Sequence, residues 1–171
     1  MEPCLRGQRV RPGKKGGEET GPNPTDRGPA GSKRHVITDA NGVPLALRIT
    51  AANVHDSRVF EELIDAVPPG RQGRGRPCQR PDKLHADKAY DLPRCRRALR
   101  QRRIGNRIAR RGIESSERLG RYRWVVERTL AWFSRFRRLT IRYERRVDIF
   151  EASHHIAAAL ICWRFIQRSF C

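Results

Sequence analysis

The dipeptide Asn41-Gly42 sits between two β-rich runs and constrains this chain more than any other local feature. His35-Val-Ile-Thr-Asp39 reads as a short strand, and Val43 to Thr50 as a second one with Leu45, Leu47 and Ile49 in alternation. Asn and Gly both tolerate the positive φ that a tight hairpin turn needs, so the two runs predict an antiparallel hairpin. After Asn53-Val-His55-Asp56-Ser57 a helix is expected, capped by Asp56 or Ser57. Its apolar stripe is Val59, Phe60, Leu63, Ile64 and Val67, and Pro68-Pro69 ends it.

Beyond that point strand and helix alternate. A Gly/Arg/Pro loop covers 68–82, and Lys83 to Asp87 is a short strand. Asp91 and Pro93 open a helix that runs to about Arg102. Ile104 to Ala109 is a further strand. Long helices follow over about Glu117 to Leu139 and Ile149 to Gln167. A hairpin followed by α/β alternation means an α/β fold, a mixed sheet with helices on both faces. Residues 1–34 hold only Leu5 and Val10 as large aliphatics and read as an extended basic Gly/Pro-rich arm. The ordered domain is expected over 35–168.

Charge narrows the partner. The chain has 171 residues with 37 Lys+Arg against 18 Asp+Glu, a net charge of +19. All the basic residues except Lys14, Lys15, Lys33, Lys83 and Lys88 are Arg, as codon bias in a GC-rich genome produces. That bias does not account for the imbalance of sign, which points to a polyanion, usually nucleic acid. The five cysteines contain no Cys-x-x-Cys pair and are odd in number, so neither a disulfide framework nor a thiolate zinc site is implied. The N-terminus lacks an apolar signal core. The longest apolar run, Ile156 to Trp163, is far short of the ~20 residues of a spanning helix. The expectation is a cytoplasmic, nucleoid-associated protein with no membrane partner.

Two carboxylates stand out. Asp87 ends a predicted strand, where open α/β sheets bind ligands, and is either a cap for the next helix or a metal ligand. Glu127 lies roughly opposite the predicted stripe Val125, Thr129, Trp132, Phe136 and Leu139, in a partly apolar patch. A carboxylate so placed takes a partner, either Arg123 four residues earlier or a cation. Basic residues gather in 71–80, 94–111 and 135–146. Candidate DNA contacts among them are Arg74, Arg76, Arg107, Arg110, Arg111, Arg137 and Arg138. Arg74-Gly-Arg-Pro77 looks like an AT-hook core, a four-residue match that an Arg-rich chain also produces by chance. The helical spacing of Trp124, Trp132 and Trp163 reads as core rather than base stacking, and His35 and His85 read as core or edge residues.

Five blocks in order carry a family resemblance: Gly16 to Gly28 (GGEETGPNPTDRG), Gly31-Ser-Lys-Arg-His35, Asn53-Val-His-Asp56, Leu84-His-Ala-Asp-Lys-Ala-Tyr-Asp91 and Arg123-Trp-Val-Val-Glu-Arg-Thr129. Over about residues 10 to 166 the chain resembles the DDE transposases of bacterial insertion sequences, the IS-five-like group in particular. The resemblance implies an RNase H-like fold in which acids on the first strand, the fourth strand and a late helix hold two divalent metals, usually Mg²⁺ or Mn²⁺. It implies DNA as partner, both transposon ends and target, and cleavage and strand transfer as the reaction. Two metals stabilise the entering and leaving oxygens of such in-line displacements, and hard cations take oxygen ligands. By the same resemblance Asp87 and Glu127 are the second and third acids, Arg123 precedes the third, and Asn53, His55 and Asp56 support the site. The first acid should lie four residues before a Val in a Val-Arg pair. Val10-Arg11 fits the pair, and counting back reaches Arg6. Glu18, Glu19 and Asp26 are the other acids near that point.

The expectation is an N-terminally truncated catalytic portion with its first strand incomplete or missing. It should bind metal weakly, be inactive alone, and act as a homodimer or with a complementing upstream polypeptide. The alternative is a non-catalytic nucleic-acid-binding module.

Overall fold

The structure is a computed structural model. It describes residues 4–9, 17–22, 30–70, 80–112 and 116–170, with side chains left out at 6–9, 116–123 and 169–170. Strands β1 (Cys4–Arg9), β2 (Ser32–Thr38), β3 (Pro44–Ala51), β4 (Lys83–Ala86) and β5 (Gly105–Ile108) form one mixed sheet in the order β3-β2-β1-β4-β5. β1 runs antiparallel to β2 and parallel to β4. β2–β3 is the antiparallel hairpin, and β4–β5 is parallel.

Helices cover both faces, so β2 and β3 are buried almost along their whole length rather than in alternation. On one face Leu5, Ile37, Ala46, Leu84 and Ala86 meet α1 (Phe60–Asp65) and α2 (Pro93–Gln101). On the other, Cys4, Val36, Leu47 and Ile49 meet α3 (Ser116–Ser134) and α5 (Val147–Phe170). A short helix, α4 (Arg137–Thr140), joins these last two. This is the RNase H-like mixed sheet that the resemblance implies.

The hairpin forms as expected. Gly42 has φ +84°, a conformation L side chains rarely adopt, and its carbonyl accepts the Thr129 hydroxyl of α3 at 2.7 Å. The stripe Val59, Phe60, Leu63, Ile64 and Val67 is buried, each residue at 8% exposure or less.

Several expectations are corrected. The first strand, expected incomplete or missing, is present as six residues of the arm and stands at the centre of the sheet. A central strand needs neighbours more than apolar composition, and β1 has one on each side. The cap of the 3-10 turn Asp56–Val59 is His55, not Asp56 or Ser57. Asp91 does not cap α2. Its carboxylate instead takes Arg96 and the Arg111 amide, and Leu92 occupies the cap position without a side-chain bond. The helix expected over 117–139 stops at Ser134. Phe136 turns extended (ψ 106°), and α4 then returns Leu139 to the core. The buried stripe of α3 is Val125, Val126, Thr129, Leu130 and Phe133, and Glu127 is exposed rather than set in an apolar patch. Trp124 and Trp163 are half exposed, and only Trp132 is partly buried. Apolar residues surround α3 and α5 on all sides, so periodicity alone does not choose the inner face.

Candidate active site

β1 and β4 run parallel through the middle of the sheet, so their carboxyl ends emerge together. Their ladder pairs Cys4 with His85 and Leu5 with Ala86, and its next step sets Arg6 beside Asp87. On its other side Arg6 pairs with Val36 of β2. Asp87 follows the last residue of β4 and adopts an extended conformation (φ −71°, ψ 166°). Its Oδ1 accepts the Lys88 amide at 2.7 Å and so caps the 3-10 turn Lys88–Tyr90. A cap uses one lone pair of four, so the same carboxylate keeps capacity for a further ligand.

The Asn53-Val-His-Asp56 block turns over the same end of the sheet. Asp56 accepts Lys33 Nζ at 2.7 Å, and Lys33 also donates to the Val54 carbonyl at 2.9 Å. His55 Nδ1 lies 2.7 Å from Ser57 Oγ, which also accepts Arg94 Nη2 from the start of α2 at 2.5 Å. Asn53 packs against Gly21, leaving no room for a Cβ there, which holds the 17–22 segment close to the end of β3.

Beneath this end Tyr90 is fully buried, its ring 5.5 Å from that of Phe60. Its hydroxyl has no hydrogen-bond partner among the described residues. Burial first, then the charges of Asp56 and Asp87, holds its phenol well above the usual range. His35 donates to or accepts from Thr50 Oγ1 at 2.8 Å, and burial lowers its pKa to about 4.

Glu127 approaches from α3. Trp132 of the same helix meets Phe165 of α5, and residues five apart are about 140° round a helix, so Glu127 stands on the side of α3 away from α5. α5 packs over β3 while α3 packs over β1 and β2. The side of α3 turned from α5 is therefore the side towards β4, which ends at Asp87. Arg123 lies on α3 four residues before Glu127, and its side chain is outside the described residues.

The remaining acids near the first-acid position go elsewhere. Glu18 accepts the Val147 amide and Glu19 the Ala51 amide, while Asp26 lies outside the described residues. Among the described residues no three His, Cys, Asp or Glu side chains are grouped so as to hold a metal.

The basic candidates divide. Arg110 and Arg111 follow β5 at the Asp87 end of the sheet. Arg111 is fixed there by its amide on Asp91 (2.9 Å) and its Nε on the Lys88 carbonyl (3.1 Å). Arg107 is exposed on β5, and Arg137 is exposed on α4. Arg138 is spent on Glu144 at 2.9 Å. Arg74 and Arg76 lie outside the described residues.

Sequence reasoning passed over Lys33 and Arg142. Lys33 carried a signal: it is one of five Lys in a chain otherwise committed to Arg. Arg142 carried none. It is 1% exposed, and its guanidinium donates to Ser32 Oγ at 2.6 Å and to the carbonyls of Glu19, Glu144 and Arg145. It thereby ties the 17–22 segment, the start of β2 and the turn before α5 into one piece.

Comparison with known proteins agrees with this architecture. A family model described as the transposase DDE domain matches residues 7–162. The chain is 54% identical over 154 residues to a protein assigned as the transposase of insertion sequence element IS402 in Burkholderia cepacia, covering 90% of this chain and 73% of that protein. It is 28% identical over 141 residues to the transposase of insertion sequence element IS1106 in Neisseria meningitidis serogroup B, covering 76% of this chain and 45% of that one. Among solved structures, the catalytic core domain of BIV integrase matches with a TM-score of 0.42 and 10% identity, over 78% of this chain and 66% of that chain. On the family match and the 54% identity, the chain belongs to the DDE transposases of insertion-sequence elements.

Proposed function

We propose that this chain is a DNA-binding part of a transposase catalytic domain and that it does not cut or join DNA alone. The observation that carries the reading is the ladder between β1 and β4, whose next step after Leu5 and Ala86 pairs Arg6 with Asp87. A DDE site needs an acid beside Asp87 on the first strand, and this chain has an Arg there. The residues present do not fit a two-metal site. Asp87 and Glu127 are two carboxylates where three are needed, and no group of three metal-binding side chains exists among the described residues. An Arg beside the site opposes a divalent cation through charge.

What remains is binding. Lys33, Lys88, Arg94, Arg110 and Arg111 all belong to elements at the Asp87 end of the sheet, and the whole chain carries +19. Phosphate contacts of this kind position DNA without reading its sequence. Transposon ends and target DNA are the partners proposed. A complementing polypeptide would have to supply the first acid, and Mg²⁺ or Mn²⁺ would bind only with it. Such a protein belongs in the cytoplasm beside the nucleoid.

Titrating Mg²⁺ and Mn²⁺ against the purified chain with end-bearing DNA tests this. The expected result is salt-sensitive DNA binding with no strand cleavage at any metal concentration. Metal-dependent strand transfer by the chain alone would refute the proposal. A second reading, a nucleic-acid-binding module with no catalytic partner, is favoured by the same Arg6. It predicts that no added polypeptide restores cleavage.

A further inference from the structure

The outer face of α5 carries a seam that nothing else in the described structure covers. Ile149, Ala152, Ile156, Ala159, Trp163 and Ile166 recur at alternating spacings of three and four residues, and all six are exposed. Ile156 is 65% and Trp163 57% exposed, while Phe150, His154, Ala157 and Ile161 of the same helix face the core. This is the a/d pattern of a helix that pairs with another helix.

Charge sets this face apart from the rest of the protein. From Val147 to Trp163 there is no Lys or Arg, the longest such stretch in the chain, although Lys and Arg make up 37 of the 171 residues. The first turns of α5 carry Asp148 and Glu151, and its last turns carry Arg164 and Arg168. A surface so free of basic residues is not a phosphate contact, but it is one that two copies of a +19 protein can bring together.

We propose that α5 pairs antiparallel with α5 of a second copy of this chain, about a two-fold axis between Ala157 and Ala158. Antiparallel helices set a positions opposite d positions. In this register Ile156 meets Ala159 of the second copy, Trp163 meets Ala152, and Ile149 meets Ile166. Each of the two inner layers then joins a large side chain to an alanine, which lets the helices approach and fills the seam. The same register brings Glu151 opposite Arg164. Parallel pairing would instead set Trp163 on Trp163, alanine on alanine, and each charge against its own kind. A two-fold contact of this sort is isologous and closes as a dimer.

The test is sedimentation or light scattering of the whole chain at concentrations up to about 50 µM. The expected result is a concentration-dependent dimer. Ile156→Glu and Trp163→Glu replace exposed residues, so their circular dichroism should stay native while the dimer is lost. Glu151→Arg and Arg164→Glu should each weaken association about fivefold, and the double exchange in one chain should recover it. Parallel pairing would leave the double exchange as weak as the single ones.

A chain that stays monomeric throughout that range overturns the proposal. So does a dimer that survives Ile156→Glu, or a double exchange without recovery. Protection of the seam by the part of the IS402 transposase that this chain does not span would assign the face to that segment and overturn it too. None of these readouts involves DNA or metal, so the outcome is independent of the catalytic reading.

Discussion

Thr129 of α3 donates its hydroxyl to the Gly42 carbonyl at 2.7 Å, which pins the helix carrying Glu127 to the hairpin turn. The bond is buried, and Arg128 adds a second one to the Asn41 carbonyl at 2.7 Å. Thr129→Val keeps the shape but leaves the Gly42 carbonyl without its donor, at a cost of about 1–2 kcal/mol. Thermal unfolding of Thr129→Val should fall by roughly 3–6 °C, and Thr129→Ser should retain most of the stability.

Arg142 is expected to be the most costly single side chain to remove. It is buried, its guanidinium serves four segments, and it lies 5.1 Å over the Phe150 ring. Arg142→Met would leave Ser32 Oγ and several carbonyls without donors, a loss of about 3 kcal/mol or more. Arg142→Lys should rescue little, since a single ammonium cannot serve a planar fork of acceptors. Urea denaturation measures the loss, and faster amide exchange at Glu18 and Gly21 would locate it.

Acid should weaken the fold before the carboxylates titrate. His35 and His154 are buried, and desolvation lowers both pKa values from 6.5 to about 4. The unfolded chain therefore binds more protons between these values, and stability rises with pH across that window. The contribution is complete above about pH 6.5 and is lost as pH falls towards 4, at most about 3 kcal/mol for each group. The urea midpoint should drop between pH 7 and pH 5. If His35→Gln with His154→Gln leaves that slope unchanged, these groups are not its source.

Arg6→Asp tests the register directly. It would place a carboxylate beside Asp87 on the neighbouring strand, and Mn²⁺ affinity measured by calorimetry should rise at least about tenfold. Adding Asp87→Asn should abolish the gain. Strand transfer is a separate matter and is not expected from this substitution.

DNA affinity should fall steeply with salt. Each phosphate contact contributes a slope of about −0.9 in log K against log salt. Arg110→Gln with Arg111→Gln should flatten the slope by one to two contacts without changing preference among sequences. An unchanged slope would remove the Asp87 end of the sheet from the DNA interface.

Legibility followed locality. Asn41-Gly42 announced the hairpin because turn chemistry is complete within four residues, and Gly42 does adopt positive φ. The end of β4 at Asp87 was legible for the same reason. β1 was not, because Cys4-Leu-Arg-Gly-Gln-Arg9 holds two apolar residues and takes its place from strands far along the chain. The face of α3 was misassigned because Trp124, Val125, Val126, Leu130, Trp132 and Phe133 leave no clean polar side. Burial of Arg34 and Arg142 is invisible locally. An arginine enters a core only where distant groups receive it: Leu139 and Phe133 for Arg34, and four separate segments for Arg142.

The place of β1 has a consequence for assembly of the chain during synthesis. β2–β3 and β4–β5 touch each other only through it. The first strand made is the last to be enclosed, since its parallel neighbour emerges about eighty residues later. Until then the nascent hairpin has one open edge where β1 can be displaced by another strand. Loss of Cys4–Arg9 would not trim a border. It would leave two separate two-stranded halves, neither able to stand alone.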